Sequence, residues 1–406
     1  MKKKLLSLAM AAALVLSLAS CGNSSGSDAS QGSSGSQGGD ASGAITIRIG
    51  GIGPLTGGNA TYGLATDYGA QIAVEEINAL GGDIKLEYRF EDDTGVNETA
   101  VSAYSTLKDW NVDVIYGCTT TGPCVAVAAE TFAERYFQLT PSASSTDVTA
   151  GKDNVFQMCF TDPNQGITAA NYVKDNNLAT KVAVIYNNGD SYSTGIAQGF
   201  IDKAKELGLE VVAQETFPAD TNTDFNVQLT ACKNGGAELV FMPIYYGPAS
   251  LVLTQANQMN YAPIFFGGDG MDGILTGIEG FDASLAEGLM LMTPFNAASE
   301  DERTAAFVEK YQAAHDELPN QFAADGYDCV YSIYEALQKI DNLSEIAAMD
   351  KNERHEALCD ALIAVFTSSD FSVDGLTGMG MTWQANGEVS KDPMVVVIED
   401  GAYVSQ

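Results

Sequence analysis

From residue 45 onward, short runs of branched aliphatic and aromatic residues alternate with longer amphipathic stretches. The short runs are typical of buried strands, and the longer stretches repeat apolar residues at helical spacing. Over the first third of the chain this pattern predicts strands at residues 45–51, 84–92, 112–117 and 136–140, with helices ending at residues 80, 108 and 135. Serial strand–helix alternation is the signature of a parallel sheet covered by helices on both faces.

The same rhythm restarts after residue 162. We predict helices at residues 164–177, 193–207, 224–234 and 248–259, and strands at residues 181–187, 209–216, 238–243, 263–267 and 288–293. Later helices are predicted at residues 300–315, 321–340 and 353–366, and the last strands at residues 380–384 and 394–399. Two doubly wound sheets in succession predict an α/β fold of two Rossmann-like lobes that share the chain discontinuously. Ligands in such folds bind outside the carboxyl ends of the strands, so a cleft between the lobes is expected.

The first 20 residues have the pattern of an export signal. Three lysines follow Met1, an apolar stretch runs over residues 5–19, and small residues precede Cys21. A stretch of this length is short for a membrane span but suits a secretory signal. The ending Leu18-Ala19-Ser20-Cys21 resembles a bacterial lipobox, which implies cleavage before Cys21 and a lipid on its sulfur; the alternative is an ordinary signal peptide in which Cys21 is incidental.

Residues 22–43 consist of Gly, Ser, Asp, Gln, Ala and Asn. Such a segment cannot bury enough apolar surface to offset its ordering entropy. A Gly/Ser chain of this length has a root-mean-square reach of about 25 Å. We therefore expect residues 21–44 to form a lipidated, disordered linker that tethers a globular body to the outer face of the membrane.

The composition restricts the partners of this body. The net charge is −33, from 53 acidic and 20 basic residues. Nucleic acid and anionic lipid surfaces demand clustered Lys and Arg, so neither is expected as the main partner. An acidic surface is compatible with cationic or zwitterionic ligands, although most of the charge is accounted for by solubility alone.

No metal or cofactor site is predicted. The seven cysteines contain no Cys-x-x-Cys pair, and the histidines, His315 and His355, lack the HExxH spacing of zinc sites. An exported location permits disulfides, with Cys118 and Cys124 as the most favoured pair, but a body of this size does not depend on them.

Two catalytic or cofactor motifs are incomplete. The glycines at positions 51, 53 and 57 follow a strand, but their spacing departs from a dinucleotide loop and Pro54 removes an amide. Gly189-Asp190-Ser191 is similar to a hydrolase nucleophile block, yet no Asp stands three residues before either histidine to provide a base for Ser191. We therefore do not expect an enzyme.

An ordered set of motifs resembles one family. These motifs are Gly53-Pro54-Leu55-Thr56-Gly57, Tyr62-Gly63, Asn78-Ala79-Leu80-Gly81-Gly82, Gly117-x3-Thr121-Gly122, Thr140-Pro141-Ser142-Ala143-Ser144, Ser191-Tyr192-Ser193-Thr194-Gly195, Gly267-Gly268-Asp269-Gly270 and Gly326-Tyr327-Asp328. Together they cover residues 45–400 and resemble the branched-chain amino-acid-binding family of type I periplasmic binding proteins, the solute receptors of ABC importers. Each motif is weak alone, and their order carries the resemblance.

The resemblance implies two lobes joined by three crossover strands. It assigns residues 45–160 and 294–379 to lobe 1, and residues 161–293 and 380–406 to lobe 2. It also implies roles for individual side chains around an enclosed amino acid. Thr121, Ser142 and Ser144 would hold its charged groups from lobe 1, Tyr192, Tyr245 and Asp269 would face it from lobe 2 with Asp269 against the ammonium, Tyr62 would cover the cleft mouth, and Phe322 would line the pocket.

The residue chemistry supports these roles independently. A zwitterion that enters a closed cleft must exchange its hydration for fixed partners. Thr120-Thr121-Gly122 lies where a predicted strand ends and the helix predicted at residues 123–135 begins. Free backbone N–H groups and the helix dipole there favour a carboxylate without an arginine. One carboxylate, Asp269, suffices for an ammonium. The same residue types also serve as helix caps, turn formers or core residues. Threonine stands at position 121 where serine is commoner in the family, and aspartate stands at position 269 where some relatives carry glutamate.

The sequence therefore predicts a monomeric extracytoplasmic receptor that captures a small amino acid by lobe closure and delivers it to the permease subunits of an ABC importer. The alternative is the same fold used as a sensor for a signalling partner. Branched-chain specificity does not follow from the motifs alone.

Overall fold

The computed structural model describes residues 43–219 and 221–405. The predicted signal peptide, Cys21 and nearly all of the predicted linker lie outside these residues. Among the described residues, no helix is both long and apolar enough to cross a membrane.

The first lobe is built on a parallel sheet. Its strands are β1 (Ile45–Gly53), β2 (Ile84–Asp92), β3 (Val114–Gly117), β4 (Gln138–Thr140) and β5 (Val155–Gln157), in the order β2-β1-β3-β4-β5. The connecting helices are α1 (Ala60–Ala79), α2 (Asn97–Asp109) and α3 (Thr121–Glu134). Strands β3, β4 and β5 are buried at every residue because both faces of the sheet are covered there, whereas most residues of the edge strand β2 are partly exposed.

The second lobe carries a mixed sheet. Its strands are β6 (Lys181–Asn187), β7 (Glu210–Phe217), β8 (Leu239–Met242), β9 (Ile264–Gly267), β10 (Met290–Thr293), β11 (Met394–Glu399) and β12 (Ala402–Ser405), in the order β12-β11-β10-β9-β8-β6-β7. Strand β11 runs antiparallel to both β10 and β12. The helices of this lobe are α4 (Asp162–Asp175), α5 (Ser191–Glu206), α6 (Asn226–Gly235) and α7 (Tyr246–Gln258).

The chain then returns to the first lobe through α8 (Glu302–His315), α9 (Gln321–Leu337), α10 (Leu343–Ala347) and α11 (Lys351–Phe366). Buried residues of α9 and α11, among them Val330, Ile333 and Phe366, share one apolar cluster with the first sheet. Along the chain, β5 of the first sheet is followed by α4, β10 of the second sheet by α8, and the coil after α11 by β11. The two-lobe α/β architecture predicted from the sequence is confirmed.

Residues 380–384 do not form the predicted strand. The segment makes only isolated bridges, Val373 with Met381 and Trp383 with Val389. Trp383 Nε1 donates to Gln157 O at 2.8 Å, and Gln157 N donates to Gly387 O at 2.9 Å. The segment therefore covers the free edge of β5 and packs with the first sheet.

A buried ion pair fixes the last passage between the lobes. Lys391 Nζ donates to Asp325 Oδ1 on α9 at 3.0 Å, and each side chain is only 2% exposed. Lys391 also donates to Thr377 Oγ1, which in turn donates to Asp328 Oδ2. A buried pair is costly to break, because removal of one partner leaves the other charge uncompensated.

All six cysteines of the described residues are buried free thiols. Cys118 and Cys124 lie close enough to interact, but they are not joined, and burial raises the pKa of the Cys118 thiol well above its usual range. The disulfide considered from the sequence is therefore absent from this part of the structure.

Candidate functional site

A loop rich in hydroxyl groups lies at the carboxyl end of β3. Thr119, Thr120 and Thr121 connect this strand to α3, and all three side chains are buried. None of the three hydroxyl oxygens has a hydrogen-bond partner among residues 43–219 and 221–405. Thr120 is the N-cap residue of α3 but makes no side-chain capping bond. This hydroxyl loop, residues 119–121, therefore offers three donors beside the free N–H groups that begin a helix.

The loop after β4 lies against the hydroxyl loop. Ser142 Oγ donates to Thr119 O at 2.7 Å, so the Ser142 hydroxyl holds the two loops together. Ser144 is fully buried, and its hydroxyl has no partner within the part of the chain that the structure describes. The two serines therefore differ: the Ser142 hydroxyl is used between the loops, whereas the Ser144 hydroxyl has the buried Asp162 carboxyl group as its neighbour.

Asp269 lies at the carboxyl end of β9 in the second lobe. We call this residue and its hydrogen-bond partners Gln165, Tyr192 and Gly270 the acid cluster. Asp269 Oδ1 accepts hydrogen bonds from Gln165 Nε2 at 3.0 Å, Tyr192 Oη at 2.9 Å and Gly270 N at 2.9 Å. Burial raises the pKa of Asp269 from 3.8 to about 6, and the bonds from Gln165, Tyr192 and Gly270 lower it in part. The carboxyl group is thus held in one orientation by Gln165, Tyr192 and Gly270, but no cation is among these partners.

Aromatic rings from both lobes meet beside Asp269 and Gly270. Tyr192 and Tyr245 stack with ring centroids 4.9 Å apart and planes 6° apart. The Tyr62 ring contacts Tyr245 at 5.6 Å, Tyr246 at 4.9 Å and Phe322 at 4.4 Å. Tyr62 Oη donates to Gly270 O at 2.5 Å and accepts from Tyr246 N at 3.3 Å, so it joins the two lobes directly.

Asp162 was not expected from the sequence to contribute to the site. It opens α4 at a passage between the lobes, is 1% exposed, and neither carboxylate oxygen has a partner in normal hydrogen-bond geometry within the described residues. Burial raises the pKa of Asp162 well above its usual range, the neighbouring Ser144 hydroxyl lowers it, and the negative charge of Asp269 raises it further. Asp162 N donates to Ser144 O at 2.9 Å, so Asp162 lies beside the hydroxyl groups of the first lobe, and its carboxyl group interacts electrostatically with Asp269 of the second.

The predicted residues thus fall into three contacting groups. Tyr62, Phe322 and Tyr245 form an aromatic contact across the lobes, Tyr192 and Asp269 belong to the acid cluster, and Thr121, Ser142 and Ser144 form the hydroxyl side. Helices α3 and α5, which carry Thr121 and Tyr192 at their N-termini, are in contact. Their role in ligand binding stays a prediction.

Sequence reasoning missed the residues that orient the acid. Gln165 both donates to the Asp269 side chain and accepts from Asp269 N at 3.0 Å, and Gln321 Nε2 donates to Asp269 O at 2.7 Å. In the sequence, Gln165 lies 104 residues from Asp269 and Gln321 lies 52 residues from it. Their position in the first turn of a helix was the one available signal.

Within the described residues, no group of His, Cys, Asp and Glu side chains is arranged to hold a metal ion.

Comparisons with known proteins agree on one family. Residues 46–402 match the family described as periplasmic binding protein. The Leu/Ile/Val-binding protein homolog 3 of Brucella melitensis is 30% identical over 330 residues, which cover 80% of this chain and 87% of the relative.

Solved structures give the same result. The branched-chain amino acid transporter substrate-binding protein LivJ of Streptococcus pneumoniae, in complex with isoleucine, is 29% identical with a TM-score of 0.77, covering 89% of this chain and 100% of that one. The leucine-binding protein LivK of Thermotoga maritima is 26% identical with the same TM-score of 0.77, covering 89% and 97%. The chain belongs to the periplasmic binding protein family and has the type I fold of its branched-chain amino-acid-binding members.

Proposed function

We propose that this protein is the extracytoplasmic receptor of an ABC importer and that it captures a small amino acid, branched-chain or related, by closure of its lobes. The observation that carries this proposal is the pairing of a buried acid cluster in one lobe with unpartnered hydroxyl groups in the other. The relatives named above support the ligand class, since one is a leucine-binding protein and another holds isoleucine.

The hydroxyl side suits the ligand carboxylate. Thr121 Oγ1 and Ser144 Oγ are buried donors without partners among the described residues, and the first N–H groups of α3 lie beside Thr121. Helix N-termini favour anions because of these free N–H groups and the helix dipole. No arginine is needed to hold a carboxylate there.

The acid cluster suits the ligand ammonium. Asp269 is oriented by Gln165 and Tyr192, and Asp162 supplies a second buried carboxyl group nearby. Burial of carboxylates without a cation is unfavourable, which is why the pKa values of both groups are raised. An ammonium between them would reverse that cost, so the ligand itself completes the charge balance of the closed cleft.

The aromatic residues suit a small apolar side chain. Tyr62, Tyr245 and Phe322 present apolar ring faces to each other across the lobes. Residues of this kind cover apolar ligands while their hydroxyl groups keep polar partners. Because the Tyr62 hydroxyl bonds to Gly270 of the other lobe, closure would place this ring over the ligand.

A thermal-shift screen with isothermal calorimetry tests this function. The chain from Ala44 onward forms a compact unit, and we would measure its melting temperature against the twenty amino acids. A ligand at 100 times its dissociation constant adds about 2.7 kcal/mol, which raises the melting temperature by several degrees. We expect leucine, isoleucine and valine to give the largest shifts. No shift with any amino acid, at millimolar concentration, would contradict the proposal.

Family membership places the protein outside the cytoplasm, and we further propose that a lipid on Cys21 anchors it there as a monomer. The basis is the sequence alone: the lysines at positions 2–4, the apolar stretch, and the small residues before Cys21. In the producing bacterium, Cys21→Ser should release the protein from the membrane fraction, with Ser20→Ala as a matched control that stays anchored. Retention of Cys21→Ser in the membrane fraction would contradict the anchor, and a dimeric mass in solution would contradict the monomer.

A further inference from the structure

A cavity lies between the lobes, beside the proposed amino-acid site. Its volume is about 500 Å³. The first lobe contributes one face of α1, with Leu64 and Tyr68, and the end of α8, with His315. The second lobe contributes the segment after the short 3₁₀ helix, with Asp272 and Leu275, and the turn that leads into β12.

This cavity is separate from the predicted amino-acid site. None of the eight residues predicted to contact the amino acid is among the described residues that line it. The two sites share a wall, because Asp269 and Asp272 stand at the two ends of one helical turn and Asp272 N donates to Asp269 O at 3.0 Å. Gln321 links them as well, since its side chain donates to Asp269 O and its backbone N donates to Asp272 Oδ2 at 2.9 Å.

The walls of the cavity favour an organic cation. Leu64, Leu275 and Leu318 supply aliphatic surface, and none of the described residues that line the cavity is a lysine or arginine. Asp272 is 3% exposed, and one of its carboxylate oxygens has no partner in normal hydrogen-bond geometry among the described residues. Burial raises the pKa of Asp272, and the bond from Gln321 N and the nearby Tyr403 hydroxyl lower it in part.

Further groups on the cavity wall point to the same ligand charge. Glu317 lies exposed at the rim, and the rings of Tyr68 and Tyr311 add aromatic surface, which attracts cations through its π-electrons. The histidine on this wall, His315, stacks on Tyr68 at 3.8 Å. The net charge of −33 over the whole chain also raises the local concentration of cations.

The cavity takes its present shape only when the lobes are together. Gly277 of the second lobe approaches Thr61 of α1 so closely that a Cβ atom there would lie 2.9 Å from Thr61 Oγ1. A compound that contacts both walls therefore stabilises the closed arrangement. A ligand that stabilises the closed form must also tighten amino-acid binding, because coupling between two sites is reciprocal.

We propose that this cavity, between α1 and residues 272–277, is a second binding site for a small organic cation with an apolar body, and that its occupant stabilises the closed receptor. The coupling part of this proposal rests on the amino-acid-binding function proposed above. The binding part does not, so the two can fail separately.

Benzylammonium is a suitable probe, with benzyl alcohol and benzoate as neutral and anionic counterparts of the same shape. We would measure melting temperature and binding heat with the amino-acid site saturated by leucine. We expect benzylammonium to raise the melting temperature by about 2 °C or more, and to tighten leucine binding about fivefold. Benzyl alcohol and benzoate should change neither the melting temperature nor the affinity for leucine. Equal effects of all three compounds, or no effect of benzylammonium, would overturn the proposal.

Leu318→Lys tests the location. Leu318 is 62% exposed at the rim, so the substitution places a positive charge at the cavity without disturbing packed core. It should weaken benzylammonium binding at least tenfold and leave leucine binding in the absence of benzylammonium unchanged. Leu80→Lys is the matched control, since Leu80 is 68% exposed at the far end of α1. This substitution should change neither benzylammonium binding nor leucine binding.

Asp269→Asn separates the two sites. Asp269→Asn should still bind benzylammonium. The wild-type protein should bind benzylammonium also when leucine is present. If leucine displaces benzylammonium, or if Asp269→Asn abolishes its binding, the compound occupies the amino-acid site and the second site is refuted. If no amino acid binds at all but benzylammonium does, the amino-acid function fails while the cavity proposal stands.

Discussion

The two sides of the amino-acid cleft differ in how completely their polar groups are satisfied. On the second-lobe side, Asp269 Oδ1 already accepts three hydrogen bonds, and Tyr192 and Gln165 are fixed by making them. On the first-lobe side, the hydroxyl loop and Ser144 hold buried oxygens without partners among the described residues. The acid side is arranged in advance, whereas the hydroxyl side depends on a further partner.

This difference has an energetic consequence. A buried hydroxyl without a hydrogen bond costs about 1–3 kcal/mol, and several such groups lie on the hydroxyl side. A ligand carboxylate that accepts from them removes part of this cost in the closed form only. The ligand therefore stabilises closure by its differential affinity for the closed state, as expected for a hinged receptor.

The largest effect should follow removal of the charge on the acid side. Asp269→Asn keeps the shape and an acceptor oxygen for Gln165 and Tyr192 but cannot pair with an ammonium. Because loss of one partner of a buried charge pair costs about 2–5 kcal/mol, leucine affinity measured by calorimetry should fall at least tenfold. The free energy of unfolding should be preserved or rise.

Asp370→Asn is the charge-matched control, because Asp370 is exposed. Asp370→Asn should change neither the leucine affinity nor the free energy of unfolding. An unchanged dissociation constant for leucine in Asp269→Asn would show that Asp269 does not bind the ligand. The proposed role of the second-lobe side would then be wrong.

Acidification should have the next largest effect. Burial raises the pKa of Asp269 from 3.8 to about 6, so between these values the folded protein holds a proton that the unfolded chain releases. The free energy of unfolding contributed by this group therefore falls as the pH rises through about 4 to 6. An ammonium needs the carboxylate form, so leucine affinity should fall about tenfold from pH 7 to pH 5.

Calorimetry at pH 5.5 in two buffers of different ionisation enthalpy measures the proton released on binding. Asp269→Asn should release fewer protons than the wild type. If both release the same number, a different group titrates; Asp162, whose pKa burial raises well above its usual range, is then tested by Asp162→Asn.

A smaller effect should follow loss of one donor on the hydroxyl side. Thr121→Val keeps the shape of a buried side chain whose hydroxyl has no partner in the described structure. We expect leucine affinity to fall about fivefold, since one hydrogen bond contributes about 1 kcal/mol net, which corresponds to that factor, while the melting temperature stays the same or rises.

Thr131→Val in the same helix is the matched control, because the Thr131 hydroxyl donates to Gln138 Oε1 at 2.6 Å. It should lower the melting temperature and leave leucine affinity unchanged. If Thr121→Val instead destabilises the protein like Thr131→Val, the Thr121 hydroxyl has a structural partner and the contrast between the two sides is wrong.

The smallest effect should follow Tyr192→Phe. The substitution removes the bonds to Asp269 Oδ1 and Gly270 N but keeps the stack on Tyr245. Because Gln165 and Gly270 still orient the carboxylate, leucine affinity should fall only about threefold. A loss as large as that of Asp269→Asn would mean that the tyrosine hydroxyl contacts the ligand itself.

The sequence was most informative where local pattern and structure coincide. The strands at residues 181–187 and 394–399 were predicted to the residue, because each is a continuous apolar run bounded by polar residues. Strand β5 was missed, since its three residues are too few to show a periodicity and are recognisable only by their pairing with β4. The strand predicted at residues 380–384 was wrong for the opposite reason, because alternating apolar residues there cover a sheet edge without forming a ladder.

By itself, the sequence determined the α/β class, the two lobes and the resemblance that led to Asp269, Tyr62 and Thr121, because these depend on periodicity and on short motifs at strand ends. Only the tertiary structure decided which hydroxyl groups are already satisfied, that Gln165 and Gln321 hold Asp269, that Asp162 lies between the two sides, and that a second cavity shares a wall with the cleft. The reason is physical: hydrogen-bond satisfaction and burial depend on contacts between residues far apart in the chain, and such contacts leave no periodic trace in the sequence.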